Sequence, residues 1–327
     1  MNAEPQIRKA VAVRAPTRLD LGGGWTDVPP YCDNEGGFVC NVAIGLYAVA
    51  TARMGERRAV ARRPSRSPQA MADAPLIGAV LRRSGLADVE LTLRNHYPLF
   101  AGLGGSSAAS AALLGALASW RGEEWDRAAI AEEGRRIEVG DLGVAGGRQD
   151  HYAATFGGAL ALTFTNVVAV KRLSLTDSAR AAFERRSLLV YTGESRVSGR
   201  NIVEVLDAYR AREQRVLVAL ERMKELAREM AVALESGDID HLGALVGEHW
   251  THQRALHPAI PTPRIDDIIA RAAAAGALGA KAMGASGGGC VLVIAGDDTL
   301  EPVRSAVELL GTVIPFRLDS EGLSRVE

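Results

Sequence analysis

The amino-acid sequence predicts a mixed α/β protein with two domains. The chain has 327 residues, which favours two domains or one large one. Hydrophobic residues make up 47% of the chain, enough to bury a substantial core. Mixed strand and helix patterns fill the first half and long helical patterns follow. We therefore predict a domain boundary between residues 180 and 195.

Apolar periodicity assigns the elements of the first half. Apolar runs predict strands, and apolar residues spaced by three or four predict helices. In chain order, these patterns predict strands at 10–15, 38–53 and 89–93, helices at 107–120 and 126–139, and strands within 157–171. Asp126 is the expected N-cap of the second helix. The arginine-rich segment 53–66 fits a solvated hairpin around Gly55 better than a phosphate-binding patch.

The second half of the sequence predicts long helices and short strands. Apolar residues recur at helical spacing from Ile202 to Leu234, and Gly237 would end that helix. In chain order, the predicted elements are a strand at 187–192, a helix at 202–234, helices at 239–256 and 264–275, a strand at 290–295, a helix at 300–310 and a strand at 312–317.

Charge and cysteine content exclude several classes of protein. The formal net charge is −1, so bulk electrostatics do not indicate binding to nucleic acid or a membrane surface. No two of the three cysteines form a CxxC pair, which argues against a disulfide framework or a zinc site. The low cysteine content favours a reducing, cytoplasmic setting. The uncharged stretch 98–120 begins with proline and glycine, so we expect a buried loop and helix rather than a membrane span.

Three glycine-rich segments stand out, at 14–27, 98–109 and 281–290. Glycine allows the backbone to approach a ligand closely, so the three loops together suggest a bound polyanion. The second segment runs into Ser106, Ser107 and an alanine-rich helix, whose N–H groups would favour a phosphate. The serine hydroxyls could add a hydrogen bond or a magnesium ligand. A tightly packed helix start without a ligand explains this segment equally well.

Other nucleotide and hydrolase motifs do not fit. No lysine follows a glycine as in a P-loop, and the segment at 102–107 lacks the third glycine of a dinucleotide fingerprint. No protein-kinase signature occurs. The run 284–288 matches the G-x-S-x-G pattern of hydrolases. A strand-like run rather than a helix follows it, which argues against Ser286 as a nucleophile.

A fourth segment, 137–152, supplies carboxylates. Glu138 and Asp150 could converge through its glycine-rich turn. One could then bind a metal ion while the other orients or deprotonates a hydroxyl group. Solvated acids at the end of a helix are the alternative.

Taken in order, these segments resemble the motifs of the GHMP superfamily of small-molecule kinases, from residue 14 to about 295. The resemblance implies an α+β fold with a ribosomal-protein-S5-like N-terminal domain over 1–185. A ferredoxin-like C-terminal domain would cover 186–327, with the active site in the cleft between them.

Within the superfamily, PTRLDLGGGWTD, GGFVCNVAI, RQDHYAATFGG and YTGESR are similar to the sugar 1-kinases. This resemblance implies ATP- and Mg²⁺-dependent phosphorylation of an anomeric C1 hydroxyl, best matched by D-glycero-D-manno-heptose 7-phosphate. Trp25 favours the L-fucokinases, because heptose kinases more often have glycine there; the short chain favours the heptose kinases. The alternatives are L-fucose or another free sugar, mevalonate, and a non-catalytic sensor of sugar or nucleotide.

The resemblance assigns the catalytic and nucleotide-binding roles. Asp150 matches the catalytic carboxylate, and Arg18 the cation that stabilises the ionising hydroxyl and the transferring phosphoryl group. His151 stands where the family usually has glutamine. Ser107 and Glu138 match the magnesium ligands, with Ser106 a rival. The residues expected to hold the ATP phosphates are Gly102, Leu103, Gly104, Gly105, Ser106, Ser107 and Ala108.

The first and third motifs imply the acceptor site. Asp27 matches a ligand of the sugar hydroxyls, but Gly24 replaces a usual glutamate, so one sugar contact must differ. The other expected substrate-binding residues, besides Arg18 and Asp150, are Gly23, Trp25, Gly287 and Gly288. A phosphorylated heptose also needs cations far from C1. Arg196 is the first candidate, with Arg200, Arg14 and Arg148 behind it; surface positions explain these arginines equally well.

Overall fold

The computed structural model describes residues 10–55, 68–86, 88–194 and 199–326 and confirms the predicted α+β class. The strands are β1 (Ala10–Gly22), β2 (Gly37–Met54), β3 (Val89–Asn95), β4 (Ala159–Phe164), β5 (Val168–Arg172), β6 (Ser187–Tyr191), β7 (Ala277–Ala282), β8 (Cys290–Ala295), β9 (Thr312–Ile314) and β10 (Ser324–Arg325). The helices are α1 (Tyr31–Glu35), α2 (Pro68–Ser84), α3 (Gly105–Arg121), α4 (Arg127–Arg135), α5 (Gln149–Phe156), α6 (Asp177–Arg186), α7 (Gly199–Arg210), α8 (Gln214–Ser236), α9 (Ile239–Ala255), α10 (Pro263–Ala274) and α11 (Leu300–Glu308). A π-helical turn, Arg136–Asp141, follows α4 directly.

The first sheet is antiparallel, with strand order β10-β1-β2-β4-β5, and β3 also pairs with β2. Helix α3 packs across β1 and β2. Small residues make this close packing possible: Ala48 and Ala50 of β2 are fully buried together with Ala112 and Leu113 of α3. The tight fit fixes the start of α3 relative to β1.

The second sheet is also antiparallel, with order β7-β8-β6-β9. Its central strand β8 is buried along its whole length, as its continuous apolar run predicts. Helices α9 and α10 pack against β7, and their buried residues include Trp250, Ile265 and Ile268.

Helix α8 joins the two halves. It packs on β1 and β2, and its buried Leu226 and Met230 share one apolar cluster with Leu21 of β1 and Leu292 of β8. One hydrophobic core therefore extends beneath both sheets, and the first and third glycine-rich segments are held close together.

Three predicted elements differ in the structure. The helix predicted over 202–234 is two helices, because the chain turns at Arg212, which has a φ of +57°. The helix predicted over 126–139 ends at Arg135 and continues as the π-helical turn. Strand β1 extends to Gly22, so part of the first glycine-rich segment is a strand. Asp126 is the N-cap of α4, as predicted: its carboxylate accepts the N–H of Ala129 at 3.0 Å.

The division into 1–185 and 186–327 remains a proposal. It would keep each sheet whole except for β10, which lies late in the chain and pairs with β1. Residues 56–66 of the arginine-rich segment lie outside the described residues. Within the described ranges, no helix has the length and apolar character needed to cross a membrane.

Candidate active site

The three glycine-rich segments meet around a cavity of about 920 Å³. The backbone N–H of Arg18 donates to the carbonyl oxygen of Leu103 at 3.0 Å, and that of Cys290 donates to the carbonyl oxygen of Ala101 at 2.9 Å. These two bonds attach the first and third segments to the second. The carboxylate segment forms another wall through Glu138 and the residues that follow it.

The second glycine-rich segment leads into the N-terminus of α3. Gly104 is the N-cap and has a φ of +71°, a left-handed conformation that favours glycine. No side chain caps α3, so the N–H groups of its first turn lack partners within the helix. Because 102–107 line the cavity, this positive end of the helix can bind phosphate groups. Ala108 does not line the cavity, and its N–H bonds to the Gly104 carbonyl oxygen.

Tyr97 supports this loop from behind and was not predicted from the sequence. Its hydroxyl oxygen lies 2.6 Å from the carbonyl oxygen of Gly105 and 3.1 Å from Asn95 Oδ1. The Asn95 amide in turn contacts the carboxylate of Asp73 on α2 at 3.2 Å. Tyr97, Asn95 and Asp73 all line the cavity, so this chain of contacts connects the loop to α2.

Ser107 and Glu138 form a buried pair beside the loop. The Ser107 hydroxyl donates to Glu138 Oε2 at 3.2 Å. Glu138 lies on the π-helical turn, a distortion that often marks functional sites. Its other oxygen, Oε1, is buried and has no hydrogen-bond partner among the residues that the structure describes. Ser106 is exposed, so of the two serines it is Ser107 that contacts Glu138.

A magnesium ion fits this donor set. Mg²⁺ prefers oxygen ligands and usually takes only one or two from the protein, with phosphate oxygens and water completing its shell. Ser107 Oγ and Glu138 Oε1 are oxygen donors next to the phosphate-binding end of α3. In the part of the chain that the structure describes, no group of three or more His, Cys, Asp or Glu side chains could hold a metal ion alone.

His151 contacts this pair without lining the cavity. Its Nε2 lies 3.1 Å from Glu138 Oε2. Burial by itself would lower the pKa of His151, yet the carboxylates of Glu138 and Asp150 raise that pKa above its usual value. The residue that replaces the family's usual glutamine therefore contacts the predicted metal ligand.

Asp150 and Arg18 form an ion pair in the cavity wall. Asp150 lies in the first turn of α5, where its Oδ1 accepts a hydrogen bond from Arg18 Nε at 2.8 Å and lies 2.7 Å from Arg18 Nη2. Arg18 is buried on β1, and its Nη1 donates to the carbonyl oxygen of Gly102 at 2.6 Å. One guanidinium therefore holds the carboxylate against the glycine loop.

Asp27 holds the start of the helix that carries Asp150. Its Oδ2 accepts the backbone N–H groups of Arg148 at 2.8 Å and Gln149 at 2.9 Å. Burial is the main cause that raises the pKa of Asp27 to about 6, with Asp150 and Asp20 adding to it. Since Oδ2 is used by the backbone, the predicted contact with a sugar hydroxyl would fall to Oδ1.

Several predicted substrate residues do not reach the cavity. The N–H of Gly23 donates to His249 Nε2 at 3.0 Å, away from the cleft. The third segment lines the cavity with Gly284 and Ala285 instead of Gly287 and Gly288. The N–H of Gly287 bonds to the carbonyl oxygen of Ile260, behind the wall. Arg196 lies outside the described residues.

The cavity also contains Asp20, which was not predicted. Arg18 and Asp20 are two residues apart on β1, and alternate residues of a strand point to the same side. This spacing is the signal that could have identified Asp20. Gly24, Trp25 and Asp27 complete this wall.

Comparison with known proteins agrees with this geometry. The family described as GHMP kinases N terminal domain matches residues 72–158, and the family described as GHMP kinases C terminal matches residues 230–311. The D-glycero-alpha-D-manno-heptose 7-phosphate kinase of Campylobacter jejuni is 27% identical, over 86% of this chain and 88% of that protein. The L-fucokinase/L-fucose-1-P guanylyltransferase of Bacteroides fragilis is 29% identical over 87% of this chain. The match spans 34% of that longer protein.

A solved structure shows the same architecture over almost the full length. It is a D-glycero-D-manno-heptose 1-phosphate kinase from Bacteroides thetaiotaomicron, 26% identical, with a TM-score of 0.76. The match covers 97% of this chain and 99% of that one. Both family matches, the fold and the cleft built from the glycine-rich segments agree. This chain belongs to the GHMP kinases and is a phosphotransferase that acts on a sugar hydroxyl group.

Proposed function

We propose that the chain transfers the γ-phosphoryl group of Mg²⁺-ATP to the anomeric C1 hydroxyl of a sugar, with D-glycero-D-manno-heptose 7-phosphate as the first candidate acceptor. The main support is the position of Asp150. It is paired with Arg18 and held against the glycine loop, in the cavity that also contains Ser107 and Glu138. Phosphoryl transfer depends mainly on positioning and charge neutralisation, which these residues can supply. The expected cytoplasmic setting remains a prediction.

The nucleotide would occupy the side of the cavity formed by the loop and α2. Its phosphates would accept hydrogen bonds from the N–H groups at the start of α3, within 102–107. The base would lie further along the cleft, towards Asp73, Phe100 and Val144. A magnesium ion held by Ser107 and Glu138 would neutralise phosphate charge.

The acceptor would lie on the other side of the loop, against β1. Asp150 would accept or orient the proton of the attacking hydroxyl, and Arg18 would stabilise the negative charge that develops between them. An anomeric hydroxyl is more acidic than an ordinary alcohol, so orientation by Asp150 would contribute much of the effect. The name of the Bacteroides fragilis relative, which includes L-fucose-1-P, supports attack by a C1 hydroxyl.

The full-length similarity to the Campylobacter jejuni kinase supports heptose 7-phosphate as the acceptor. A distal phosphate needs a cation, however. Arg14 pairs with Glu321 and is outside the cavity, and Arg148 is also outside its lining. Arg196 and Arg200 remain the candidates, and the structure describes neither side chain.

A neutral sugar such as L-fucose is a second candidate, favoured by the acceptor end of the cavity. Trp25 lines this end and is buried, although its φ of +79° is strained for a bulky residue. Strain of this kind often accompanies function. The same end contains the carboxylates of Asp20, Asp27 and Asp150. Among the described lining residues Arg18 is the cation there, and Asp150 already pairs with it. Uncharged hydroxyl groups suit such a wall better than a phosphate dianion.

The test is ADP release with Mg²⁺-ATP across a panel of acceptors: D-glycero-D-manno-heptose 7-phosphate, the free heptose, L-fucose, galactose and mevalonate. Phosphorus NMR of the product would locate the new phosphate. Turnover confined to the phosphorylated heptose supports the first candidate, and preference for L-fucose supports the second. Mevalonate as the only acceptor would contradict the proposal. Nucleotide binding without turnover on any acceptor would indicate a sensor.

A further inference from the structure

Asp20 lines the acceptor end of the cavity, and one of its carboxylate oxygens is unpaired among the described residues. The residue is 2% exposed, and its Oδ1 is buried without a hydrogen-bond partner. Leaving a buried charged acceptor unpaired costs free energy. The described side chains therefore leave one strong acceptor unsatisfied in the wall that also carries Arg18 and Asp27.

Lys281 of β7 holds only the other oxygen of this carboxylate. The lysine is fully buried, and its Nζ donates to the carbonyl oxygens of Asp20 at 2.7 Å and Leu21 at 3.3 Å. Nζ also lies 3.4 Å from Asp20 Oδ2. Two hydrogens of the ammonium group are donated to these carbonyl oxygens, and the ion pair joins Nζ to Oδ2. Lys281 thus holds the carboxylate from the side of Oδ2.

The position of Gly24 brings the Asp20 carboxylate next to the catalytic helix. A Cβ on Gly24 would lie 2.2 Å from Asp20 Oδ2 and 2.9 Å from Gln149 Nε2. No side chain fits at position 24 while Asp20 is in place. Gln149 directly precedes Asp150, so Asp20 lies beside the region where the acceptor must be placed for transfer.

We propose that Asp20 binds a hydroxyl group of the acceptor sugar through its carboxylate, with Lys281 holding that carboxylate from the side of Oδ2. A sugar hydroxyl is a neutral donor, and its hydrogen bond to a carboxylate is strengthened by the charge. Asp20 would then provide an acceptor contact that position 24 cannot, and it would determine which hydroxyl pattern is accepted. This assignment depends on the proposed function, because it takes the acceptor to be a sugar.

The first test is Asp20→Asn, measured with the best acceptor found in the panel. This substitution keeps the shape of the side chain and removes its charge. We expect the KM for the sugar to rise about tenfold or more, because a hydrogen bond to a charged group is weakened. The KM for ATP should be unchanged. An unchanged KM for the sugar would overturn the assignment.

Acceptor analogues that each lack one hydroxyl provide the sharper test. For the wild-type enzyme, removing the hydroxyl that contacts Asp20 should lower kcat/KM strongly. In Asp20→Asn the same removal should lower kcat/KM much less, because the substitution and the missing hydroxyl delete the same interaction. If the removal of each hydroxyl lowers kcat/KM by the same factor in the variant and in the wild-type enzyme, Asp20 has only a structural role and the proposal is wrong.

Two controls separate binding from folding. Asp319 is also buried, but its carboxylate bonds to Tyr47 and Gly322 outside the cavity, so Asp319→Asn should leave the KM for the sugar unchanged. If Asp20→Asn does not fold, the double variant Asp20→Asn/Lys281→Met removes both charges of the buried pair. It should show the same rise in KM.

The outcomes also distinguish this assignment from the proposed function. If the wild-type enzyme turns over no sugar in the panel, the proposed function fails and the role of Asp20 fails with it. If the wild-type enzyme phosphorylates a sugar and Asp20→Asn matches its KM for that sugar, only the role of Asp20 is rejected.

Discussion

Two acidic side chains of the cleft have oxygens left without partners. Within the described part of the chain, Glu138 Oε1 and Asp20 Oδ1 are both buried and unpaired, while the second oxygen of each has a hydroxyl or a positively charged neighbour. Such unpaired acceptors destabilise a fold unless a ligand or an ion satisfies them. These are the two positions, at the nucleotide side and the acceptor side of the cavity, where we propose that ligands bind.

We predict that Asp150→Asn lowers kcat about 10²-fold or more, because the variant cannot accept the proton of the hydroxyl. ATP binding should persist, since Asp150 contacts Arg18 and does not belong to the phosphate loop. Steady-state kinetics and equilibrium nucleotide binding would measure both effects. Asp177→Asn, an exposed substitution on α6, is the matched control. Near-normal turnover in Asp150→Asn would remove this residue from the mechanism.

We predict that Ser107→Ala raises the Mg²⁺ concentration needed for half-maximal activity, whereas Ser106→Ala does not. Ser107 is buried against Glu138 and its neighbour Ser106 is exposed, so the pair forms a natural control. Titrating Mg²⁺ at fixed ATP measures the activity, and Mn²⁺ binding followed by electron paramagnetic resonance provides a readout independent of turnover. Equal effects of the two substitutions would contradict the assignment.

At the scale of single elements, helix α5 connects the first motif to Asp150, the proposed catalytic carboxylate. Asp27 accepts the N–H groups of Arg148 and Gln149, so the end of the first motif fixes the start of α5. Arg18 then fixes Asp150 one residue further on. The position of Asp150 therefore depends on two residues of the first glycine-rich segment, neither of which is near it in sequence.

The raised pKa of Asp27 predicts a particular pH dependence of stability. Burial raises this pKa to about 6, compared with about 4 for an unfolded chain. Between these values the folded state binds more protons than the unfolded state, so this residue's contribution to the free energy of unfolding falls as pH rises. Asp27→Asn lacks this contribution.

The variant should therefore gain stability relative to the wild-type enzyme as pH rises from about 4 to about 6. Urea denaturation of both proteins at several pH values measures the difference. A difference that stays constant across this range would show that Asp27 does not titrate there.

Sequence patterns predicted helices and strands well where one local signal dominates. They failed where contacts between distant parts of the chain determine the structure. The apolar runs of β2 and β8 predicted both strands to within a few residues. The break between α7 and α8 was not predicted. Tyr209 and Val216 are seven residues apart, so the apolar spacing across the break is that of one continuous helix.

The same distinction holds in the site. The motifs placed Ser107, Glu138, Asp150 and Arg18 in one cleft, and these residues do contact one another there in two pairs. The contact between Asp20 and Lys281 joins residues 261 positions apart. Only the packing of β7 against the end of β1 creates it, so no local pattern could predict it.

At the scale of the whole molecule, helix α8 supports both sheets. Leu226 is fully buried in the core that α8 shares with β1 and β8, whereas Val232 of the same helix is 69% exposed. We predict that Leu226→Ala lowers the free energy of unfolding by about 2–5 kcal/mol. Val232→Ala should change it by less than about 0.5 kcal/mol.

Urea denaturation followed by circular dichroism and by tryptophan fluorescence would measure these changes. Because one core lies beneath both sheets, the two probes should report one transition that moves to lower urea in Leu226→Ala. If Leu226→Ala and Val232→Ala lowered the free energy of unfolding by similar amounts, a shared core centred on α8 would be contradicted.

The pairing of β10 with β1 also affects when the protein can fold. Leu323, directly before β10, is fully buried and its N–H donates to the carbonyl oxygen of Thr155. During synthesis the edge of β1 stays open until residues 324–325 leave the ribosome, after every strand of the second sheet has been made. The sheet that begins first along the chain is thus completed last.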